Sequence, residues 1–533
     1  MILVLVWVAV LIAVVVIYLR QIYSKFTRYG VKHFTPVPLM GNMTKLMLRQ
    51  EHFVDNLTNL YNTSIISYIR FVGRFEFINE MIMIRDIELI KKITVKDFDH
   101  FIDHRSIFSA TDSFFSRNLF SLLGQEWKDM RSTLSPAFTS SKMRVMVPFM
   151  VEVGDQMIGA LNKKIKESEA GYIDVDCKDL TTRYANDVIA SCAFGLKVDS
   201  HNDVNNQFYA MGKMSSTFNF REMLIFFILL NVPKVAKILR IDFMKDQTKA
   251  FFRDLVLDTM KDRELRHIIR PDMIHLLMEA KKGKLTHEEI KPNDTTAGFA
   301  TVEESSVGQK EVNRVWTDDD LIAQAVLFFI AGFETVSSAM SFLLYELAVN
   351  PEVQERLAQE IREIDAKNGG KFDYNSIQNM TYMDMVVSEL LRMWPPAIAM
   401  DRVCTKDYNL GKPNDKAEKD FIVRKGAGIG IPAISIHRDP QFFPNPLKFD
   451  PERFSEENKH KINMFAYMPF GIGPRNCIGS RFALCEVKVM TYQILQHMVL
   501  SPCERTCIPA KLSRDTFNIR LEGGHWLRFT PRK

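Results

Sequence analysis

The run Phe470-Gly471-Ile472-Gly473-Pro474-Arg475-Asn476-Cys477-Ile478-Gly479 decides how the rest of the chain is read. Gly471, Gly473 and Gly479 allow the tight loop and positive φ angles that wrap backbone around one side chain, and Pro474 stiffens it. Backbone N–H groups turned toward the Cys477 sulfur would hold it as a thiolate and shield it from oxidation and protonation. Arg475 is suited to pair with a carboxylate. After Gly479, the spacing of Phe482, Ala483, Glu486, Val487, Val489 and Met490 predicts a helix whose N-terminal dipole faces the sulfur. A thiolate so placed suits a haem iron that must split dioxygen, because sulfur pushes electron density onto the metal and weakens the O–O bond. A lone Cys in a Gly-rich turn is otherwise a buried, inert side chain.

The 533 residues, 47% hydrophobic and 25% charged, can bury a large core and are neither disordered nor fibrous. A net charge of +5 without a Lys/Arg block excludes nucleic acid as a partner. The seven Cys form no disulfide framework, as a reducing compartment tolerates. Cys503 and Cys507 lack companions at zinc spacing, and no Cys-x-x-Cys-His is present for covalent haem attachment.

Residues 1–19 are apolar and uncharged, and at about 1.5 Å per residue a helix of that length just spans a bilayer. No cationic start or small-residue cleavage site marks a signal peptide. Arg20, Lys25, Arg28 and Lys32 follow and keep that side in the cytosol. The expected organisation is a transmembrane anchor (1–19), a basic, proline-rich linker (20–42) serving as a stiff strut, and one catalytic domain (43–533) facing the cytosol. Five Asn-x-Ser/Thr sequons, at Asn42, Asn56, Asn62, Asn293 and Asn379, are therefore expected to be unmodified.

Along the domain, residues 65–72 and 77–84 read as paired strands and Ile87–Lys92 as a short helix. Phe114, Phe115 and Phe120 lie in an aromatic loop that either packs in the core or lines a pocket. Trp127 and Arg131, four residues apart on a helix, are two donors able to hold a carboxylate, or a core Trp beside a solvated Arg. Met223–Leu230 is apolar all round, which suits a core helix or a loop dipping into a bilayer. Asp318-Asp319-Asp320 opens a long apolar helix containing Ala331-Gly332-Phe333-Glu334-Thr335. Gly, acid and Thr inside a helix cost stability, and such violations sit at functional sites. They make sense if the helix bulges to admit dioxygen while Glu334 and Thr335 relay protons; the plainer alternative is a packing Gly and a back-bonded Thr. Glu389 and Arg392 lie one helical turn apart, Trp394-Pro395-Pro396 ends that helix, and Lys511–Phe529 reads as a hairpin.

The Cys477 run resembles the haem-binding loop of cytochromes P450, Phe-Gly-x-Gly-x-Arg-x-Cys-x-Gly, with every fixed position filled. Trp-x-x-x-Arg, Ala-Gly-x-Glu-Thr, Glu-x-x-Arg and Pro451-Glu452-Arg453-Phe454 also occur in the family's order, and the chain looks most like an insect microsomal P450 of the detoxifying clan. The resemblance implies a mainly α fold with a small β-rich subdomain, and haem b with Cys477 as axial thiolate. By family position, Phe470, Arg475 and Gly479 contact the haem, Trp127, Arg131, Arg402 and His437 hold its propionates, and Glu389, Arg392 and Arg453 form a structural network. Thr335 and Glu334 match the oxygen-activating motif, with Val336 a departure from the common Thr or Ser, while Phe114, Phe115, Phe120, Ala331, Ile398 and Phe517 match substrate-pocket positions.

The same resemblance implies a monooxygenase of the endoplasmic reticulum membrane, catalytic domain on the cytosolic face, acting on lipophilic xenobiotics. Electrons would come from NADPH-cytochrome P450 reductase, with cytochrome b5 as a further partner, docking on a basic face that includes Lys128 and Lys488. The alternatives are a biosynthetic P450 acting on one hormone or lipid, and a haem sensor or carrier without turnover; the latter has no need of Glu334 and Thr335.

Overall fold

The longest helix of the body owes its start to the sequence Thr317-Asp318-Asp319-Asp320. Thr317 Oγ1 accepts from the Asp320 N–H, and the Asp320 carboxylate accepts from the Thr317 N–H, which closes a capping box. From there Asp318–Val349 runs 32 residues, about 48 Å, apolar on nearly every side and buried along most of its length. In a computed structural model, residues 1–62, 69–105, 114–216, 219–242, 244–283, 298–305, 307, 315–370 and 372–532 are described, apart from the side chains of Phe114 and Phe115. The expectations for those two side chains lie outside that description.

We number the site-forming helices α1 (Ile2–Tyr23), α2 (Gly124–Leu134), α3 (Ser140–Glu167), α4 (Cys177–Ile189), α5 (Phe220–Asn231), α6 (Asp318–Val349), α7 (Thr381–Met393) and α8 (Ser480–His497). Helix α6 is the axle, touched by α4, α7 and α8, while α8 also packs along α3. One small sheet has the order β1 (Phe71–Glu76), β2 (Asn79–Ile84), β5 (Gly428–Ile431), β4 (Met400–Val403). A second has β7 (Trp526–Pro531) between β3 (Ile173–Asp176) and β6 (Met498–Pro502). The fold is mainly α with a small β part, as expected.

Local expectations meet tertiary structure with some shifts. The first hairpin pairs Phe71 with Ile84 through Glu76 with Asn79, Ile69 bridges Asn414 instead, and residues 65–68 of the expected first strand lie outside the described residues. Residues 511–529 do not form a continuous hairpin. Leu512 bridges Leu521, and the strand after it pairs instead with β6 and β3, which bury Leu527 and Phe529. The stretch 20–42 is not a free strut: α1 runs to Tyr23, Phe26 is fully buried against Phe75, His33 bridges Gly73, and Gly41 bridges Glu76. Burying one Phe is worth about 1.5–3 kcal/mol, enough to fasten the linker to the sheet. Asn56 is buried and bonded to Glu51, so that sequon is sterically closed.

Candidate active site

The Cys477 loop is built by its glycines. Gly471 and Gly473 have φ of +77° and +75°, in the left-handed region where a Cβ is strained. At Gly473 a Cβ would also run into the Thr94 carbonyl oxygen of the neighbouring turn Lys92–Lys96. Gly479, in contrast, has an ordinary φ of −92° and serves as N-cap of α8. The loop closes as Cys477 N–H donates to Phe470 O (2.8 Å) and Asn476 N–H to Gly473 O (3.0 Å). Burial raises the Cys477 thiol, opposed by the Gly479 N–H and the Arg131 charge, both of which favour a thiolate. Cys477 keeps accessible surface between the buried Asn476 and the half-buried Ile478, so the loop leaves the residue open to a ligand.

Helix α6 presents a second accessible spot. Ala331 and Thr335, four residues apart, are exposed while Phe333, Glu334 and Val336 are buried. Phe138 links the two spots: it lies 3.9 Å from where a Gly479 Cβ would stand, and its ring meets that of Phe328, one turn before Ala331, at 5.2 Å. The expected bulge is not there. Helix α6 is α-helical throughout, and at Gly332 a Cβ would sit 3.0 Å from Ile189 of α4, so the glycine serves close helix contact. The Thr335 hydroxyl donates to Ala331 O, the back-bonded arrangement. Glu334 turns toward the last loop and α4. Its carboxylate accepts from Asn518 Nδ2 (3.0 Å), Arg520 Nη2 (3.1 Å) and Ser338 Oγ (3.4 Å), with Lys178 Nζ 3.3 Å away. The Ser337 hydroxyl, next after Val336, accepts from Lys178 Nζ at 2.6 Å. Burial pulls the Lys178 ammonium down to about 8 against the opposing pull of Glu334.

Around the Cys loop gather three buried guanidiniums, those of Arg131, Arg402 and Arg475. Arg475 stacks on Trp127 (4.0 Å) and donates to the carbonyls of Ile102 and Leu122 (2.8 Å each), with Asp103 at 3.7 Å. Burial, then the Arg402 charge, lowers it to about 9. Arg402 on β4 is fully buried, lowered to about 10, and its Nε has no partner. Arg131 is already engaged, with Glu304 (2.7 Å) and with Asn476 O and Oδ1 (2.7 Å each), so it braces the Cys loop. Phe120 is 44% exposed and stacks on His104 (4.6 Å), whose Nδ1 lies 2.9 Å from Asp401. Ile398 is buried and Phe470 half-buried.

His437 does not join these cations. Its Nε2 accepts from the Met468 N–H (2.8 Å), so Nδ1 carries the proton and donates to Arg392 O (3.1 Å). Wholly buried and lowered to about 3, it is a neutral strut with no donor left for a carboxylate. It belongs with Arg392, whose Nη1 donates to His437 O (2.8 Å). Arg392 also holds Glu389 through Nε (2.7 Å) and Nη2 (2.9 Å), and Arg453 Nε reaches Glu389 at 3.4 Å. Lys488 is likewise not a surface residue: it is 2% exposed and paired with Asp384 at 3.0 Å. The partners Glu304, Asn476, Lys178, Asn518 and Arg520 escaped sequence reasoning, because each lies far along the chain from the motif it serves.

A thiol with accessible surface on a Gly-shaped loop, an accessible Ala–Thr spot on the axle helix and buried guanidiniums beside the loop define a haem-thiolate oxygenase site. The sequence profile of the family described as Cytochrome P450 matches residues 31–310 and 304–524. The chain belongs to the cytochrome P450 family and is a monooxygenase whose cofactor is haem b on a cysteine thiolate. Among its relatives, Cytochrome P450 9e2 of Blattella germanica is 45% identical over 95% of this chain and 94% of its own length. Probable cytochrome P450 9f2 and Cytochrome P450 9b2 of Drosophila melanogaster are 42% and 39% identical, over 95% and 93% of both chains. The donor set fits the group: a thiol for the iron and, in Arg402 and Arg475, two guanidiniums that burial destabilises, the first with an unpartnered Nε, suited to the negative charge that propionates carry.

Proposed function

We propose that this P450 is anchored in the endoplasmic reticulum membrane, faces the cytosol, and inserts one oxygen atom from dioxygen into lipophilic xenobiotics such as insecticides and plant compounds. Electrons come from NADPH-cytochrome P450 reductase, with cytochrome b5 as a second donor. Cys477 holds the haem; Arg402 and Arg475 bind its propionates, Trp127 and Arg131 back them, and Phe470 and Gly479 line the contact. When bound, the haem supplies the redox chemistry that splits dioxygen. The chain's own part is to orient the substrate beside Ala331, exclude water with its apolar lining, and hold a proton donor at the Thr335 hydroxyl, supplied through Glu334. Phe120, Ile398 and Phe517 contribute to the substrate side.

The observation that carries the reading is an apolar surface around the root of α1. Tyr23 Oη donates to Phe77 O (3.1 Å), and Asn79 of the same turn donates to Asn231 O (2.9 Å) at the end of α5. Beside these joints Val37, Leu39, Val232, Val235, Ile238 and Leu239 are exposed. Exposed apolar side chains at the foot of an apolar helix, interspersed with the exposed Lys234, Lys237 and Arg240, suit a bilayer surface, from which lipophilic substrates partition into the protein. The bilayer-facing segment is then 232–239 rather than 223–230, since Met223, Phe227 and Leu229 are buried. For the reductase, the turn beneath Gly473 supports docking at the Cys loop: Lys92, Val95 and Lys96 are exposed there, a basic and apolar combination suited to an acidic partner.

The test is a reduced carbon monoxide difference spectrum of wild type and Cys477→Ser, followed by reconstitution in liposomes with reductase and NADPH against a panel of insecticides, plant compounds and sterols. A thiolate-type band lost in the variant, with oxygenated products from several unrelated xenobiotics, is expected. Turnover of a single sterol or terpenoid would reverse the substrate assignment, and no oxygenated product from any probe would end the monooxygenase role.

A further inference from the structure

The last loop of the chain makes two contacts of opposite kinds. Residues 513–520 project beyond the Leu512–Leu521 bridge and carry one internal backbone bond, Ser513 N–H to Arg520 O (2.8 Å). On one side Phe517 sits among aromatic rings from two other parts of the chain: Phe53 at 4.7 Å, Phe226 at 5.7 Å and Phe227 at 6.2 Å. On the other, Asn518 and Arg520 hold both oxygens of Glu334 at 3.0–3.2 Å. Arg520 Nε is buried without a partner, so the clamp is not perfectly seated. Among the described residues no hydrogen bond joins Glu334 to Thr335, and the acid of the motif is turned away from its hydroxyl.

Phe517 and Asn518 are neighbours, their Cα atoms about 3.8 Å apart, so one cannot shift without moving the other. A displacement of roughly half an ångström takes a 3.0–3.2 Å hydrogen bond past its useful length. The tip has further ties: the Arg49–Asp515 pair at 3.2 Å is solvent-exposed, the His52 Nε2 lies 3.4 Å from Asn518 O next to Phe53 of the cluster, and Thr516 bridges Asn219 at the start of α5, which carries Phe226 and Phe227. Tip and aromatic cluster therefore move together.

We propose that the 513–520 tip couples filling of the substrate cleft to the freedom of Glu334: a bulky occupant that parts the Phe53–Phe226–Phe227–Phe517 cluster draws Asn518 and Arg520 off the carboxylate. Lys178 and the longer Ser338 hydrogen bond then retain Glu334, which can swing toward Thr335. With no occupant the acid stays clamped, and electrons are not wasted on turnover without substrate. Asn518 and Arg520 are positioning residues in this scheme, which rests on the reading of Glu334 and Thr335 as the proton-delivery pair.

Hydrogen–deuterium exchange of the 513–522 peptide in the membrane-reconstituted holoprotein tests the coupling, with clotrimazole, an imidazole bearing a triarylmethyl group, compared against imidazole itself. Exchange about 5-fold faster or more with clotrimazole and unchanged with imidazole is expected, the scale of a typical coupling between sites. Equal exchange in both would overturn the proposal. In parallel, Arg520→Gln should raise NADPH oxidation without substrate about 5-fold or more, with Arg520→Lys restoring the low rate; idle oxidation unchanged in Arg520→Gln would overturn it as well. A wild type lacking the reduced carbon monoxide band would instead refute the thiolate reading, whereas a normal band with unmoved exchange refutes only the coupling.

Discussion

Replacing Arg392 by methionine would strand Glu389, which is fully buried and would keep only the Asp450 N–H at 2.9 Å and Arg453 at 3.4 Å. Burial already raises the Glu389 carboxyl, and Arg392 is the first group opposing that shift. Breaking a buried pair by removing one partner costs about 3–5 kcal/mol. With an unfolding entropy of about 2.1 cal/mol/K per residue, 533 residues give about 1.1 kcal/mol/K, so the loss corresponds to roughly 3–5 °C in Tm. Glu389→Leu should cost a similar amount by leaving the guanidinium with backbone carbonyls of His437, Pro446 and Lys448 and no counter-charge at Glu389. The double variant should fall by clearly less than the sum, since two apolar side chains replace the pair without an orphaned charge. The assay is thermal loss of helical circular dichroism of the holoprotein at one fixed scan rate, because a chain this large unfolds irreversibly. Single variants shifting by less than about 1 °C, or a double variant equal to the sum, would refute the reasoning.

Arg402→Gln and Arg475→Gln should each speed haem transfer to apomyoglobin about 10-fold, the loss of one charge-assisted hydrogen bond, while His437→Gln leaves it unchanged; equal effects of all three would put His437 back among the propionate ligands. Glu346 is raised to about 7 from 4.5 by burial, against the Trp394 hydrogen bond, so the folded state keeps a proton that the unfolded chain releases between those values. Stability should fall as pH rises through that window, and Glu346→Gln should gain on wild type by up to about 3 kcal/mol across it in pH-dependent melts; a constant offset would contradict the shift. Gly473→Ala should cut holoprotein yield sharply while Gly479→Ala does not, read from haem absorbance per protein, because only Gly473 combines a φ of +75° with the Thr94 carbonyl in the way. Thr335→Ala should lower product per NADPH and release hydrogen peroxide; unchanged coupling would remove Thr335 from proton delivery.

Much of the scaffold is legible locally. The caps of α6, the helix after Gly479 and the Glu389–Arg392 turn depend on residues within four positions of one another, and propensity and periodicity act over that range. The glycines of the Cys loop are legible too, although only two of the three need a positive φ. The role of His437 is not, because nothing near it in sequence shows that Met468 and Arg392 take both its nitrogens. Lys488 escapes for the same reason, its partner Asp384 lying 104 residues away.

By itself, then, the sequence determined the thiol, the order of the motifs, the apolar N-terminal helix and the helical class. Only the tertiary structure decided that Gly332 brings α6 against α4 instead of bulging, that Arg131 braces the Cys loop through Asn476, and that Glu334 is held by a loop almost two hundred residues later. Local backbone preferences are written in adjacent residues. The partner of a buried charge is chosen by whichever distant segment the fold brings within about 3 Å of it, and no local pattern encodes that choice.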